Sequence, residues 1–176
     1  MSEAFPTCGD CAYDGLGFPC RTNGRLDPAK VAAAELKRSR DFERSQAEER
    51  ETADIWAYDC LVEHSIAGSE FVIDVALAFL ELSPTKDEIA LFAAGHHENA
   101  VKESGPSVID RIEREAERSI AFSEMLSGIW GGRHADPDVW RRVQEAVREG
   151  PWLDEDPRTP QGSAIRGGLY ATRKSS

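Results

Sequence analysis

Residues 69–82 read Ser-Glu-Phe-Val-Ile-Asp-Val-Ala-Leu-Ala-Phe-Leu-Glu-Leu. Phe71, Val72, Val75, Ala76, Phe79, Leu80 and Leu82 spread round much of a helical circumference rather than along one stripe. A helix that is apolar on most sides has to be covered on most sides, so this segment is expected at the centre of an all-α body. The flanking sequence supplies helices to cover it.

Helix starts recur with one grammar. Asp27-Pro28, Ser83-Pro84 and Asp136-Pro137 each set an N-cap residue before a proline, whose missing N–H is no loss at the first helical position. A further start is read at Ser107, after Gly105-Pro106. Residues 28–50 carry Val31, Ala34 and Leu36 and then a run in which acids and bases alternate from Lys37 to Glu51, read as a long solvent-facing helix. Residues 52–66 repeat Ile55, Trp56 and Cys60. Thr85-x-x-Glu88 forms a capping box ahead of Ile89, Leu91 and Phe92. Gly95 is expected to end or kink that helix, and a short helix from His96 to Glu103 to close at Gly105-Pro106. Val108, Ile109, Ile112 and Ala116, then Phe122, Leu126, Ile129 and Trp130, then Val139, Trp140, Val143 and Val147 mark three further helices, stopped in turn by Gly131-Gly132 and Gly150-Pro151. No alternating run predicts a strand. The expected architecture is a compact multi-helix domain over residues 27–150. An irregular cysteine-bearing arm, 1–26, precedes it. A flexible tail, 151–176, follows, basic beyond Pro157 through Arg158, Arg166, Arg173 and Lys174.

The 176 residues include 21 Lys and Arg against 32 Asp and Glu, a net charge of −11. Nucleic-acid binding draws its affinity from basic groups on phosphates, so this balance argues against a direct nucleic-acid partner and toward a basic protein surface. The longest apolar run, Val75 to Leu80, falls far short of the roughly 20 residues of a membrane span. The first 20 residues contain neither Lys nor Arg, unlike a secretory or transit peptide, and the expected location is cytoplasmic.

The most specific chemical signal is the trio Cys8, Cys11 and Cys20. Cys-x2-Cys in a glycine-containing turn is half of a common tetrahedral zinc site, because the loop curls so that two thiolates reach one ion at about 2.3 Å. Cys20 is a third ligand, and Cys60 or His64, one helical turn apart on one face, the fourth. Four protein ligands leave no open position, which makes such a zinc structural. A Cys8–Cys11 redox pair lacks a βαβ context, and an iron–sulfur cluster takes similar thiolates.

His96-His97-Glu98 is the second constellation. Placed in a first helical turn, both imidazoles are held neutral by the helix dipole. Neighbouring helical residues diverge by about 100°, which makes one shared ion difficult. Glu63-His64 with Asp59 or Glu70 lacks the Glu-x-x-His repeat of di-iron bundles. No phosphate-binding glycine loop and no nucleophile elbow occur. Trp56, Trp130 and Trp140 fall on apolar helix faces, as core residues do.

Four short runs carry a resemblance: Ala93-Ala94-Gly95-His96-His97-Glu98, Ile109-Asp110-Arg111-Ile112-Glu113, Phe122 to Trp130 with Leu126 between, and Pro137-Asp138-Val139-Trp140. Together they resemble a bacterial family known only as a domain of unknown function, over about residues 56–143. His96-His97 stands where that family has Pro-Leu. The resemblance implies a small helical domain and no mechanism.

These readings lead to an acidic helical binding protein with a structural zinc. An inhibitor, immunity protein, antitoxin or phage-encoded inhibitor of a defence system, acting on a basic nucleic-acid-processing partner, has this character. The alternatives are a metal-dependent enzyme using His96, His97 and Glu98, and a zinc-arm nucleic-acid binder.

Overall fold

The computed structural model describes residues 19–45, 54–130 and 134–148, the side chains of 42–45 apart. Cys8, Cys11 and the 151–176 tail lie outside the described residues. The first described element departs from expectation. Residues 21–26 form a two-stranded antiparallel hairpin, β1 (Arg21–Thr22) and β2 (Arg25–Leu26), where an irregular arm was predicted. Its turn is Asn23-Gly24, both with positive φ (51° and 78°), the left-handed pair that a two-residue hairpin turn demands. The Asp27 N–H donates to the Cys20 carbonyl at 3.0 Å and closes the hairpin onto the next helix.

That helix is α1 (Pro28–Ser45), capped as predicted by Asp27, whose Oδ1 accepts the Lys30 N–H at 3.1 Å. It is not merely solvent-facing: Val31, Ala32, Glu35, Leu36 and Ser39 are buried. α2 (Ile55–Ile66) follows, then α3 (Phe71–Glu81), the apolar segment from which the fold was read. Phe71, Val72, Ile73, Val75, Ala76 and Phe79 are all buried, and α3 touches α1, α2, α5 and α6. The all-α expectation holds.

α4 (Lys86–Phe92) starts at the Thr85–Glu88 capping box, both reciprocal bonds being present. The expected start at Ser83-Pro84 is two residues early: Ser83 sits at φ 54°, in the turn that ends α3. Gly95 does not end α4. The backbone runs on through a π turn (Ala93–His97) into α5 (Glu98–Arg118), with the Glu98 N–H reaching back to the Ala93 carbonyl. The predicted break near Gly105-Pro106 is a kink centred on Ser104 (φ −141°, ψ 24°) rather than an end. Ser104 Oγ donates to the Ile66 carbonyl at 2.8 Å, which ties the kink to the turn after α2.

α6 (Ile120–Leu126) is capped by Ser119, and α7 (Pro137–Ala146) by Asp136 with Pro137 behind it. Trp140 is fully buried and Trp56 half-buried, but Trp130 is 44 % exposed. α6 ends at Leu126, so the helical phase that put Trp130 inward no longer applies there. Arg111 joins α3 to α5 through Glu70 and Asp74, and Arg142 joins α7 to α5 through Asp110 and Glu113.

α5 and α7 approach closely where α5 lacks a side chain. A Cβ at Gly105 would lie 2.6 Å from Cγ1 of buried Val139, a stiff β-branched residue. Gly105→Ala is expected to cost about 1–3 kcal/mol in chemical denaturation. Adding Val139→Ala should recover part of that loss; strictly additive losses would mean the contact does not set the α5–α7 spacing.

Candidate functional site

Two polar groupings interrupt the apolar interior. At the first, Cys20 is buried and closes the hairpin, Cys60 is half-buried on α2, and His64 is buried one turn further along α2. The His64 ring packs against Phe71, with centroids 4.7 Å apart. Burial lowers the His64 pKa, and the nearby positive charge of Arg21 lowers it further. The residue after Cys20 is therefore a neighbour of the His64 face. Among the described residues no three Cys, His, Asp or Glu side chains form a metal-binding group, so Cys20, Cys60 and His64 do not all converge on one point.

The second grouping lies between α1, α2 and the π turn. Glu35, 2 % exposed, accepts two hydrogen bonds from Arg38, one helical turn on, at 2.6 and 2.7 Å. His96 Nε2 donates to Glu35 Oε1 at 3.1 Å. Burial pushes the Glu35 carboxyl upward, but the bonds from Arg38 and then His96 outweigh it and hold the pKa below the usual carboxylate range. Arg38 lies over the Tyr58 ring at 4.9 Å, and Tyr58 meets His96 edge-on at 5.3 Å. Ser65 Oγ donates chiefly to the Leu61 carbonyl of its own helix at 2.7 Å and lies 3.2 Å from the His96 carbonyl.

His97 points into apolar surroundings. Its ring centroid lies 5.6 Å from those of both Phe92 and Phe122, it has no exposed surface, and neither ring nitrogen has a hydrogen-bond partner among the described residues. Burial first, and the neighbouring His96 second, push its pKa down to about 3. Helix-dipole control, expected from a first-turn position, is not the cause, because the π turn leaves no free helix start at Gly95. The wider turn also brings both imidazoles inside: His96 packs on one side of Phe92 and His97 is in contact with the same ring. Glu98 is only half-buried at the head of α5.

A model of a family of unknown function (DUF6869) matches residues 43–150. The chain belongs to that family. No curated protein and no solved structure matches it. The match runs from the end of α1 through α7. It includes Cys60, His64, His96 and His97, and it excludes Cys8, Cys11, Cys20, Glu35 and Arg38.

Glu35, Arg38 and Tyr58 were not singled out from sequence. Glu35 had a signal: a carboxylate in helical phase with Val31, Ala32 and Leu36 occupies a core position, where an unpaired charge is untenable. Its partner His96 lies 61 residues away, which no local pattern reveals.

Both histidine environments have acid consequences. The unfolded chain protonates His97 below its ordinary value of 6.5, whereas the folded chain resists until about pH 3. Stability therefore falls as pH drops through that window, by up to about 1.4 kcal/mol per unit from this residue. Glu35 adds to the fall, since its stabilisation is lost as pH drops through its depressed pKa. His97→Leu, of similar volume, should unfold with a shallower pH dependence than the wild type. Equal slopes in urea titrations from pH 7 to about pH 4 would show that the imidazole is not buried neutral. Glu35→Ala, which strands Arg38 beside His96, should cost about 3–5 kcal/mol at pH 7 in the same assay.

Proposed function

We propose that this chain acts by binding a basic protein, in the manner of an inhibitor, immunity protein or antitoxin directed at a nucleic-acid-processing partner. One observation carries the reading. Residues 54–130 hold 15 Asp and Glu against 5 Lys and Arg. Several of the exposed acids, Glu63, Glu81, Asp87 and Glu124, have no cation paired to them among the described residues. Each stands beside, or one turn from, an exposed apolar side chain: Ile66, Leu82, Leu91 and Ile120. Carboxylates set among apolar side chains suit a partner that offers Lys or Arg beside apolar surface. The acid excess also accelerates encounter with a basic target.

Ala93-Ala94-Gly95-His96-His97-Glu98 serves, on this reading, as a packing element of the family's helical body. The enzymatic alternative asks for an accessible His96 or His97, and both imidazoles are buried. A nucleic-acid partner would meet the acid excess of the helical body. Among the described residues no helix is long and apolar enough to cross a membrane.

The test is affinity capture with the full chain at two salt concentrations, beside a variant carrying Glu63→Lys, Asp87→Lys and Glu124→Lys. A stoichiometric basic protein should be retained by the wild type at low salt, weakened at least about tenfold at high salt, and lost from the variant while helical content is unchanged. No stoichiometric partner, or one that the charge-reversed chain holds equally well, would overturn the reading.

A further inference from the structure

α1 is laid on the other helices by few apolar side chains and by charges. Among its described side chains, Val31, Ala32 and Leu36 are the buried apolar ones, and the buried residues between them, Glu35 and Ser39, are polar. By contrast α3 buries Phe71, Val72, Ile73, Val75, Ala76 and Phe79 and is packed on several sides. Three charged contacts join α1 to other parts of the chain: Lys37 Nζ to Asp54 at 2.5 Å, Arg40 Nε to Glu88 at 2.6 Å, and Glu35 to His96 at 3.1 Å. The Lys37 and Arg40 side chains are both well exposed, and pairs of that kind add little stability. The hairpin belongs with α1, through the Asp27–Cys20 and Thr22–Asp27 bonds and the Lys30 ammonium on the Arg21 carbonyl at 3.1 Å. All these α1 attachments precede residue 43, where the family match begins, and the match spans α2 to α7.

Glu35 decides how α1 can move. A partial slip would leave its carboxylate in the interior without His96, which is costly. Complete release carries Glu35 and Arg38 into water together, because both stand on α1 and their two bonds travel with them. The carboxylate then loses the His96 bond alone. Intermediate positions are therefore disfavoured against the two end states. We propose that the hairpin and α1 form a strap that opens from α2–α7 as one unit while that body stays folded. Opening uncovers His96 and the side of α3 beneath α1. Closed, the strap shuts this imidazole away from solvent; open, it presents the ring beside an apolar helix side. The proposal does not depend on the partner reading.

The test is native-state hydrogen exchange of the full chain in low concentrations of guanidinium. Amides from Val31 to Ser39 should share one opening equilibrium, at least about tenfold more populated than the opening that exposes Val72 to Phe79. It should also depend less steeply on denaturant, because less surface is exposed. Leu126→Ala removes a fully buried side chain from α6, away from the main contacts of α1 with α2 and α3. It should speed exchange in α3 at least about tenfold and leave that of α1 unchanged, since the body is intact in both states of the strap. The wild-type denaturant dependence decides the matter without any variant. Amides of α1 that open with the same equilibrium and the same denaturant dependence as α3, or that Leu126→Ala accelerates as much as α3, would overturn the proposal.

Discussion

A carboxylate shut away from water has to be matched where it stands, and the Glu35 side chain imposes that condition on three elements at once. Its oxygens take two bonds from Arg38 of its own helix and one from His96 of the π turn. Arg38 then lies over Tyr58 of α2. An ionised group at 2 % exposure would otherwise be intolerable, so α1 cannot slide or rotate against α2 and the α4–α5 junction without stranding a charge. Hydrophobic burial supplies the bulk of the cohesion. The Glu35 cluster selects one arrangement among the many that apolar helices would accept.

The π turn is the complement of that cluster. An extra residue in the helical turn leaves backbone carbonyls off register, and the Ser65 hydroxyl of α2, bonded to the Leu61 carbonyl, also approaches that of His96. The same geometry sets His97 between Phe92 and Phe122, where its nitrogens have no hydrogen-bond partner among the described residues. His96 bonds through Nε2 but leaves its buried Nδ1 without a partner among the described residues. On the packing side, Gly128 allows the turn after α6 to lie against Ala93: a Cβ there would sit 2.8 Å from that of the alanine. Small residues at 93 and 128 thus set how closely α6 meets the junction.

Local chemistry was legible in the sequence, and tertiary chemistry was not. The caps at Asp27, Thr85 and Asp136 depend on residues within one turn of each other, and each appears as read. α3 declared its burial through its apolar circumference. The hairpin was missed although Asn23-Gly24 announces one, because its strands are two residues long and have no alternation to see. Gly95 marks a π turn rather than a helix end, and the bond from His96 to Glu35 helps to hold that turn in place. At the candidate sites, the cysteine spacing and the His96-His97 pair were visible, whereas the Glu35–His96 pairing joins residues that only folding brings together.

Asp27 is worth following outward. Its backbone N–H holds the Cys20 carbonyl, its Oδ2 accepts the Thr22 hydroxyl at 2.6 Å, and its Oδ1 caps α1. One side chain therefore serves both as hairpin latch and as helix cap. Losing this one carboxylate would therefore loosen the hairpin and uncap α1 together, a coupling that two separate residues would not create.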